Sequence, residues 1–311
     1  MVGENNKNLW FFIERGFFGL ILLLFIFYSL FPFAWGINTS FKSEAEVEAE
    51  PLTLVPVSPT SDNYVSILSC PFIGLGDPAN FFNMLFRPSE LPNISNSTSC
   101  QFIVSVRNSF VVAASATLFS LILGGLAAYA LGRYRFRGRS LMRYVILAMN
   151  LFPTIAVLPS LLDIMSNLGL TETIGSLVLT YPIFTLPTIA WSMIVFFQRL
   201  PEDIEQAAFV DGANTFQLFT KVLLPIATPV LFTTGIITFI GTLNEYLLAL
   251  TFVAGTPEAR NITVAIKFLG QAITPGELMA MSVIVVVPLI VVIYFTQRQA
   301  IKETTEGAVK G

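Results

Sequence analysis

Long apolar segments alternate with short polar stretches along almost the whole chain. Six segments are apolar over about 20 residues, the length that a helix needs to cross the hydrocarbon core of a membrane. They lie near residues 16–36, 109–132, 144–166, 174–197, 226–252 and 278–297. The pattern predicts an all-α membrane protein with six transmembrane helices.

The composition agrees with a membrane location and argues against several kinds of site. Of the 311 residues, 54% are hydrophobic and 12% are charged, and the mean hydropathy is +0.72. A soluble domain has about 25% charged residues. The formal net charge of −3 provides no basic surface for a nucleic-acid partner. Histidine is absent and there are two cysteines, so we expect neither a catalytic residue nor a metal site.

The positions of Lys and Arg predict the orientation in the membrane. With the N-terminus inside, the cytoplasmic side holds twelve of the 17 Lys and Arg residues, which is the bias that cytoplasmic loops carry. We therefore expect both termini in the cytoplasm. The expected organisation is a cytoplasmic N-terminus (1–15), a first span (16–36), an extracytoplasmic loop (37–106), a five-helix core (107–297) that contains a cytoplasmic loop (198–225), and a cytoplasmic tail (298–311).

The loop 37–106 is the longest polar insertion, and both cysteines fall in it. Most of it reads as a solvated linker, since acidic and proline residues dominate its first part. An outer compartment permits disulfides, so we expect a bridge between Cys70 and Cys100.

Small residues recur at every fourth position of the second apolar segment. They are Ala116, Ser120, Gly124, Ala128 and Gly132. This spacing places them on one helix face, where another helix can approach closely. The pattern is equally compatible with packing inside this chain and with an interface to a second membrane subunit.

Polar side chains inside apolar segments are candidates for a transport path. Asn244, Glu245 and Tyr246 interrupt the fifth segment, and Asn150 lies in the third. An ionisable group at membrane depth is costly unless it faces water or a partner. The alternative for Glu245 is an interfacial position near the end of its helix.

A polar island between the fourth and fifth segments predicts a docking loop. Pro201 suits a first helical turn, acidic residues follow it, and Gly212 ends the helix. A second short helix from Ala213 stops near Pro225. The pair of alanines, Ala207 and Ala208, gives the first helix a low profile that fits a cleft in another protein.

The sequence PEDIEQAAFVDGANTFQLFTKVLLPIATP of this island resembles the coupling-loop signature of binding-protein-dependent ABC importer permeases. It is most similar to the carbohydrate-uptake branch, and to the smaller permease subunit of maltose-type transporters in particular. The similarity extends from FPFAWGINTSFKS through SDNYVSIL, NSFVVAASATL, AAYALGRYRFRGR and GTLNEYLLAL to the final TEGAVKG.

The resemblance implies a type I importer permease of a bacterial or archaeal cell membrane. Its partners would be a second permease subunit, an ATPase dimer that binds ATP and Mg²⁺, an extracytoplasmic substrate-binding protein and membrane lipid. No cofactor is expected in this chain. The residues implied in ATPase docking are Glu205, Gln206, Ala207, Ala208, Asp211, Gly212 and Ala213.

Two further expectations follow from the resemblance. The tail residues Gly307, Lys310 and Gly311 would reach the interface of the two ATPases. The sequence departs from the family at Gln206, where a Glu is usual. Glu205, about 100° round the helix, would replace it only imperfectly.

Two other function classes fit less well. An intramembrane enzyme needs facing nucleophiles, bases or metal ligands, which the absence of His disfavours. A passive channel or secondary transporter needs no docking loop. The solute stays open at this point, because a sugar, a polyol, a glycosylated osmolyte and glycerol phosphate all fit.

Overall fold

The computed structural model describes residues 2–70, 94 and 96–308, and the regular elements within them are all helical. The helices are α1 (Val2–Ser40), α2 (Glu44–Val47), α3 (Asp62–Leu68), α4 (Thr98–Arg133), α5 (Arg139–Met149), α6 (Thr154–Asn167), α7 (Ile174–Arg199), α8 (Asp203–Val210), α9 (Thr215–Gln217), α10 (Leu224–Leu243), α11 (Leu247–Val253), α12 (Ile262–Leu269) and α13 (Pro275–Ala308). A π-helical segment, Leu218–Leu223, joins α9 to α10.

The described helices account for four or five of the six expected spans. Helices α1, α4 and α7, and the stretch Thr215–Leu243, are each long and apolar enough to cross a membrane. The pair α5 and α6 adds a fifth if it is counted as one span. The apolar part of α13, Pro275–Val291, is shorter, so the sixth span stays a prediction.

Two expected spans are broken where polar residues or proline occur. The span expected over 144–166 consists of α5 and α6, which meet at 95° around Asn150 to Pro153. Proline has no N–H to continue a helix and disfavours the helical conformation at the residue before it. The span expected over 226–252 ends at Leu243, and the chain resumes as α11 at Leu247.

The chain divides into two compact units. The first comprises Met1–Leu68 and Ala272–Val286. Within it the Asn63 amide donates to the carbonyl oxygens of Ser40 (2.9 Å) and Lys42 (2.8 Å). The Ser66 hydroxyl donates to the Glu277 carboxylate. These bonds join the end of α1, helix α3 and the start of α13.

The second unit comprises Ser69–Gln271 and Val287–Gly311, and its centre is the pair α4 and α7. The stripe of small residues on α4 is buried and faces α7. Ser120 and Thr185 share a hydroxyl hydrogen bond of 2.7 Å. A Cβ added to Gly132 would lie 2.9 Å from the Cβ of Phe197. The small residues therefore serve close packing within this chain, which decides between the two alternatives that the sequence left open.

Two of the apolar clusters among the described residues of this unit lie beside the two candidate sites. One surrounds Leu177, Phe252 and Val253 and includes Tyr181. The other surrounds Phe197, Leu218 and Leu223 and includes Ala208. The expected outer loop also contains more structure than a linker, since α4 begins at Thr98, within the range 37–106, and α2 and α3 lie before it.

Candidate functional site

The polar loop that the sequence predicts to dock contains a short helix, α8, whose ends are determined by local sequence. Asp203 and Glu205 lie in its first turn, where acidic side chains favour the positive end of the helix dipole. At its end Gly212 adopts a φ of 83°, a conformation that favours glycine. The Ala213 N–H donates to the Ala208 carbonyl over 3.0 Å and closes the turn.

The next turn of the loop is closed by a reciprocal capping box. The Asn214 side chain accepts from the Gln217 N–H over 2.8 Å, and the Gln217 side chain accepts from the Asn214 N–H over 3.0 Å. Such a box satisfies backbone donors that would otherwise lack partners at a helix start. The loop is therefore held in shape by hydrogen bonds between its own residues.

The two alanines of α8 point in different directions. Ala208 is buried against the cluster around Phe197 and Leu218, whereas Ala207 is exposed. Gln206 is exposed as well, and Val210 is 87% exposed. The exposed surface of α8 therefore includes Gln206, Ala207 and Val210, whereas Ala208 packs α8 against the rest of the unit.

Arg133, the last residue of α4, holds the start of α8. Its Nε lies 2.5 Å from Glu205 Oε1, and its Nη1 donates to the carbonyls of Phe197 (3.1 Å) and Leu200 (2.9 Å). Its Nη2 lies 3.4 Å from the Pro201 carbonyl. One largely buried arginine side chain thus satisfies carbonyls at the end of α7 and fixes α8 beside them.

This arrangement changes the expectation for Glu205. Its carboxylate faces Arg133 of the same chain, and the side chains of this pair are 9% and 19% exposed for Arg133 and Glu205. The exposed position beside it is Gln206. Sequence reasoning missed Arg133 because an arginine after an apolar segment reads as an orientation signal.

A cavity of about 370 Å³ opens between α8 and the start of α5. Four arginines, Arg133, Arg135, Arg139 and Arg143, contribute to its wall together with Glu202, Glu205 and Gln206. Arg139 donates from Nε to the Leu131 carbonyl over 2.8 Å and from Nη2 to the Gly132 carbonyl. The surface around α8 is therefore strongly polar and carries both signs of charge.

The second candidate site surrounds Glu245, which lies between α10 and α11. Its Oε1 accepts from the Leu248 N–H over 2.9 Å, and its Oε2 accepts from the Ala249 N–H over 3.2 Å and from the Tyr181 hydroxyl over 2.9 Å. The carboxylate therefore caps the start of α11. Tyr181 was not among the predicted residues, since a single tyrosine in an apolar segment carries no distinctive spacing.

A cavity of about 250 Å³ lies beside this carboxylate. Its lining includes Thr154, Tyr181, Thr185, Thr242 and Glu245. It combines hydroxyl groups with apolar walls, which suits a polar solute that also has apolar faces.

The other path candidates occupy different surroundings. Asn244 is exposed and donates to the Ile240 carbonyl over 2.9 Å. Tyr246 is 37% exposed, with the Lys267 ammonium 6.0 Å from its ring centroid. Asn150 accepts from the Thr188 hydroxyl over 2.6 Å at the bend between α5 and α6. None of these three lines the cavity at Glu245.

The remaining predicted residues lie elsewhere. Cys70 and Cys100 are joined by a disulfide that packs against Ile94. Gly307 lies in the last part of α13, and Lys310 and Gly311 fall outside the described residues.

Comparison with known proteins agrees with this architecture. Residues 120–303 match the family described as binding-protein-dependent transport system inner membrane component. The chain is 32% identical to a trehalose/maltose transport system permease protein of Thermococcus litoralis over 296 residues, which cover 94% of this chain and 95% of the relative. It is also 32% identical to a trehalose transport system permease protein of Mycobacterium tuberculosis, over 93% of this chain and 95% of the relative.

The chain is also similar to one further permease and to one solved transporter structure. A sulfoquinovosyl glycerol transport system permease protein of Agrobacterium fabrum is 32% identical over 91% of this chain and 89% of the relative. A crystal structure of a bacterial ABC transporter involved in alginate import shares the fold. Its TM-score is 0.71 at 22% identity, and the alignment covers 92% of this chain and 96% of that chain.

The family match covers more than half of the chain and includes both candidate sites. The relatives align over nearly their whole length. The chain therefore belongs to the family of binding-protein-dependent transport system inner membrane components, and it is a multi-pass permease subunit of an ABC importer rather than an enzyme.

Proposed function

We propose that this permease imports a sugar or a sugar-like solute together with a second permease subunit, an ATPase dimer and an extracytoplasmic binding protein. The relatives named for trehalose, maltose and sulfoquinovosyl glycerol support this solute class. ATP and Mg²⁺ would be bound by the ATPase, and both termini of this chain would lie in the cytoplasm. A polyol or glycerol phosphate remains the alternative solute.

We propose further that α8 is the element that docks to the ATPase. The observation that carries this assignment is the combination of a fixed base and an exposed face. Arg133, through Glu205, and Ala208 hold the helix, while Gln206, Ala207 and Val210 face outward. Arg133 is the last residue of α4, and it binds both Glu205 of α8 and carbonyls at the end of α7. A displacement of α8 by its partner would therefore be transmitted to the ends of α4 and α7.

The cavity at Glu245 is proposed as part of the solute path. Hydroxyl groups from three elements converge there beside an ionisable group, Glu245, that lies within an apolar part of the chain. Residues of this kind inside a membrane protein mark paths for polar solutes.

The two alanines of α8 provide a matched test of docking. Ala207→Glu adds a charge to an exposed surface, so we expect normal protein levels and an unchanged melting temperature, with loss of ATPase copurification and of uptake. Ala208→Glu places a charge in the apolar cluster, so it should lower the melting temperature as well. Normal uptake of radiolabelled trehalose or maltose by Ala207→Glu would contradict the docking assignment, provided that the unmutated transporter imports that sugar.

Gly212 is a poor probe of docking even though nothing lies within 4 Å of an added Cβ. Its φ of 83° strains any other residue by about 1–2 kcal/mol, so a substitution there changes the turn and the surface together.

A further inference from the structure

The first unit carries a short apolar ribbon, defined here as Leu52–Val57, in which the four large apolar side chains are exposed. Leu52 is 66% exposed, Leu54 77%, Val55 71% and Val57 80%. Soluble surfaces rarely hold so many large apolar side chains together unless the surface is an interaction site.

The ribbon lies within a longer stretch that has no charged side chains. Residues 51–61 contain no Asp, Glu, Lys or Arg, although four glutamates, Glu44, Glu46, Glu48 and Glu50, immediately precede them. Three prolines in this stretch, Pro51, Pro56 and Pro59, remove backbone N–H groups that would otherwise need partners.

Several backbone groups of the ribbon already have partners inside the unit. The Leu54 carbonyl accepts from the Asn38 amide over 2.9 Å, and the Thr53 carbonyl accepts from the Lys42 ammonium. The Val57 N–H donates to Glu46 over 2.7 Å, and this bond helps to hold the pKa of Glu46 below its usual value. Bonded backbone groups are what an apolar surrounding requires, because an unpaired group there is costly.

These bonds also place the ribbon at a particular level along α1. The apolar stretch of α1 runs from Phe17 to Ile37, which is about 30 Å of helix and equals the thickness of a hydrocarbon core. Asn38, the next residue, holds the Leu54 carbonyl. Trp35 lies one turn earlier, with the Lys42 ammonium 5.0 Å from its ring centroid. Tryptophan at the end of a span is typical of the membrane–water interface.

We propose that the ribbon inserts its side chains into the interfacial region of the lipid leaflet at the C-terminal end of α1. The occupant of this surface is lipid because the Asn38–Leu54 bond places the ribbon at the end of the apolar stretch of α1, whose side chains are also uncovered. None of the most apolar 18-residue window of α1 is buried within the chain. The contact anchors the segment after α1 to the membrane surface, and it depends on neither the solute nor the docking of an ATPase.

Site-specific photocrosslinking tests this proposal in the assembled transporter. Benzoylphenylalanine replaces Leu54 or Val57 in the full-length chain, and the complex is placed in nanodiscs of phosphatidylethanolamine and phosphatidylglycerol. After irradiation we expect lipid adducts on these two residues, detected by mass spectrometry, at a yield at least fivefold above that of exposed polar positions. Glu48 and Asp62 provide these control positions in the same unit.

Three results would overturn the proposal. The first is an equal yield of lipid adducts at all four positions, which would mean that the ribbon is no closer to lipid than the exposed polar controls. The second is crosslinking of Leu54 or Val57 to the second permease subunit, and the third is crosslinking of either to the binding protein in place of lipid. A double variant, Leu54→Ser with Val57→Ser, gives an independent measurement. It should raise hydrogen exchange of residues 51–61 in nanodiscs but leave exchange in the loop containing α8 unchanged, and unchanged exchange of residues 51–61 would also contradict insertion.

Discussion

The α8 loop and the break at Glu245 each contain a short helix that is held in place by one charged side chain, but the two charges have opposite signs. Each holds a short helix, α8 or α11, beside the end of a long apolar helix. At α8 the central group is a cation, Arg133, which binds one carboxylate and three carbonyls. At α11 the central group is an anion, Glu245, which accepts from two backbone N–H groups and one hydroxyl.

The difference shows which residue each site depends on. A group that binds several partners leaves all of them unsatisfied when it is removed, whereas loss of one partner leaves the rest of the network in place. Arg133 and Glu245 should therefore matter more than Glu205 and Tyr181, although the sequence presents Glu205 as part of the docking motif.

Replacing Arg133 should give the largest effect. Arg133→Ala leaves the Glu205 carboxylate and the carbonyls of Phe197 and Leu200 without their partner, so we expect a loss of about 4 kcal/mol in the free energy of unfolding. Uptake and ATPase copurification should fall together. The melting temperature of the purified complex measures the stability change.

Arg135 provides the control for this prediction. Its side chain is 85% exposed and lies 3.6 Å from Glu202, so Arg135→Ala should change stability by less than about 1 kcal/mol. Equal effects of the two substitutions would show that charge alone, and not the anchoring of α8, explains the result.

Replacing Glu245 should give the next largest effect. Glu245→Gln keeps one acceptor oxygen but places an NH₂ group near N–H donors, so we expect a loss of about 2 kcal/mol. Tyr181→Phe removes a single bond and should cost about 1 kcal/mol.

The Glu245 variant also tests the solute path. If the cavity carries solute, Glu245→Gln should change the apparent sugar affinity or the basal ATPase rate more than Tyr181→Phe does. Unchanged affinity, ATPase rate and complex yield in Glu245→Gln would reduce this carboxylate to an interfacial bystander.

A substitution at Gly132 tests the helix packing that brings Arg133 to its place. Gly132→Ala puts a Cβ 2.9 Å from the Phe197 Cβ, so we expect a loss of about 1–2 kcal/mol from overpacking. Gly125→Ala on the same helix meets nothing within 4 Å and should stabilise the helix by up to about 1 kcal/mol. The melting temperatures of the two variants test this expectation. Equal shifts in melting temperature would contradict the close contact between Gly132 and Phe197.

The smallest effects on stability are expected at Glu205 and Gln206 of α8. Glu205→Gln removes the charge that faces Arg133 but leaves its three carbonyl partners, so we expect a loss of about 1 kcal/mol and partly impaired coupling. Gln206→Ala should leave stability unchanged, and Gln206→Glu should be tolerated. A strong coupling defect in Gln206→Ala with a silent Glu205→Gln would reverse the roles assigned to these two positions. The ratio of ATPase rate to uptake measures coupling.

Local physical rules explain why much of the architecture could be predicted. Apolar length identified α1, α4 and α7, since the requirement for about 20 apolar residues acts within one segment. The turn at Gly212 that follows α8 was predicted from the conformational freedom of glycine, which is also a local property. The family followed from the loop motif, whose residues are contiguous.

Long-range contacts explain what the sequence did not show. The breaks at Asn150–Pro153 and Asn244–Tyr246 lie inside segments whose average hydropathy is that of a continuous span. Pro153 supplies a local cause for the first break, but the partners of the polar groups at the two breaks, Thr188 for Asn150 and Tyr181 for Glu245, come from a different helix.

The sequence by itself determined the membrane class, the family, the place of the polar loop that contains α8 and the helix face that carries small residues. The tertiary structure decided what each of these contacts. The small face of α4 meets α7, Glu205 meets Arg133, Glu245 caps α11, and only one of the two alanines faces outward. The physical reason is the sequence distance over which each interaction acts. Hydropathy and backbone conformation act within a few residues, whereas a buried charge takes its role from groups that folding brings to it from more than 60 positions away.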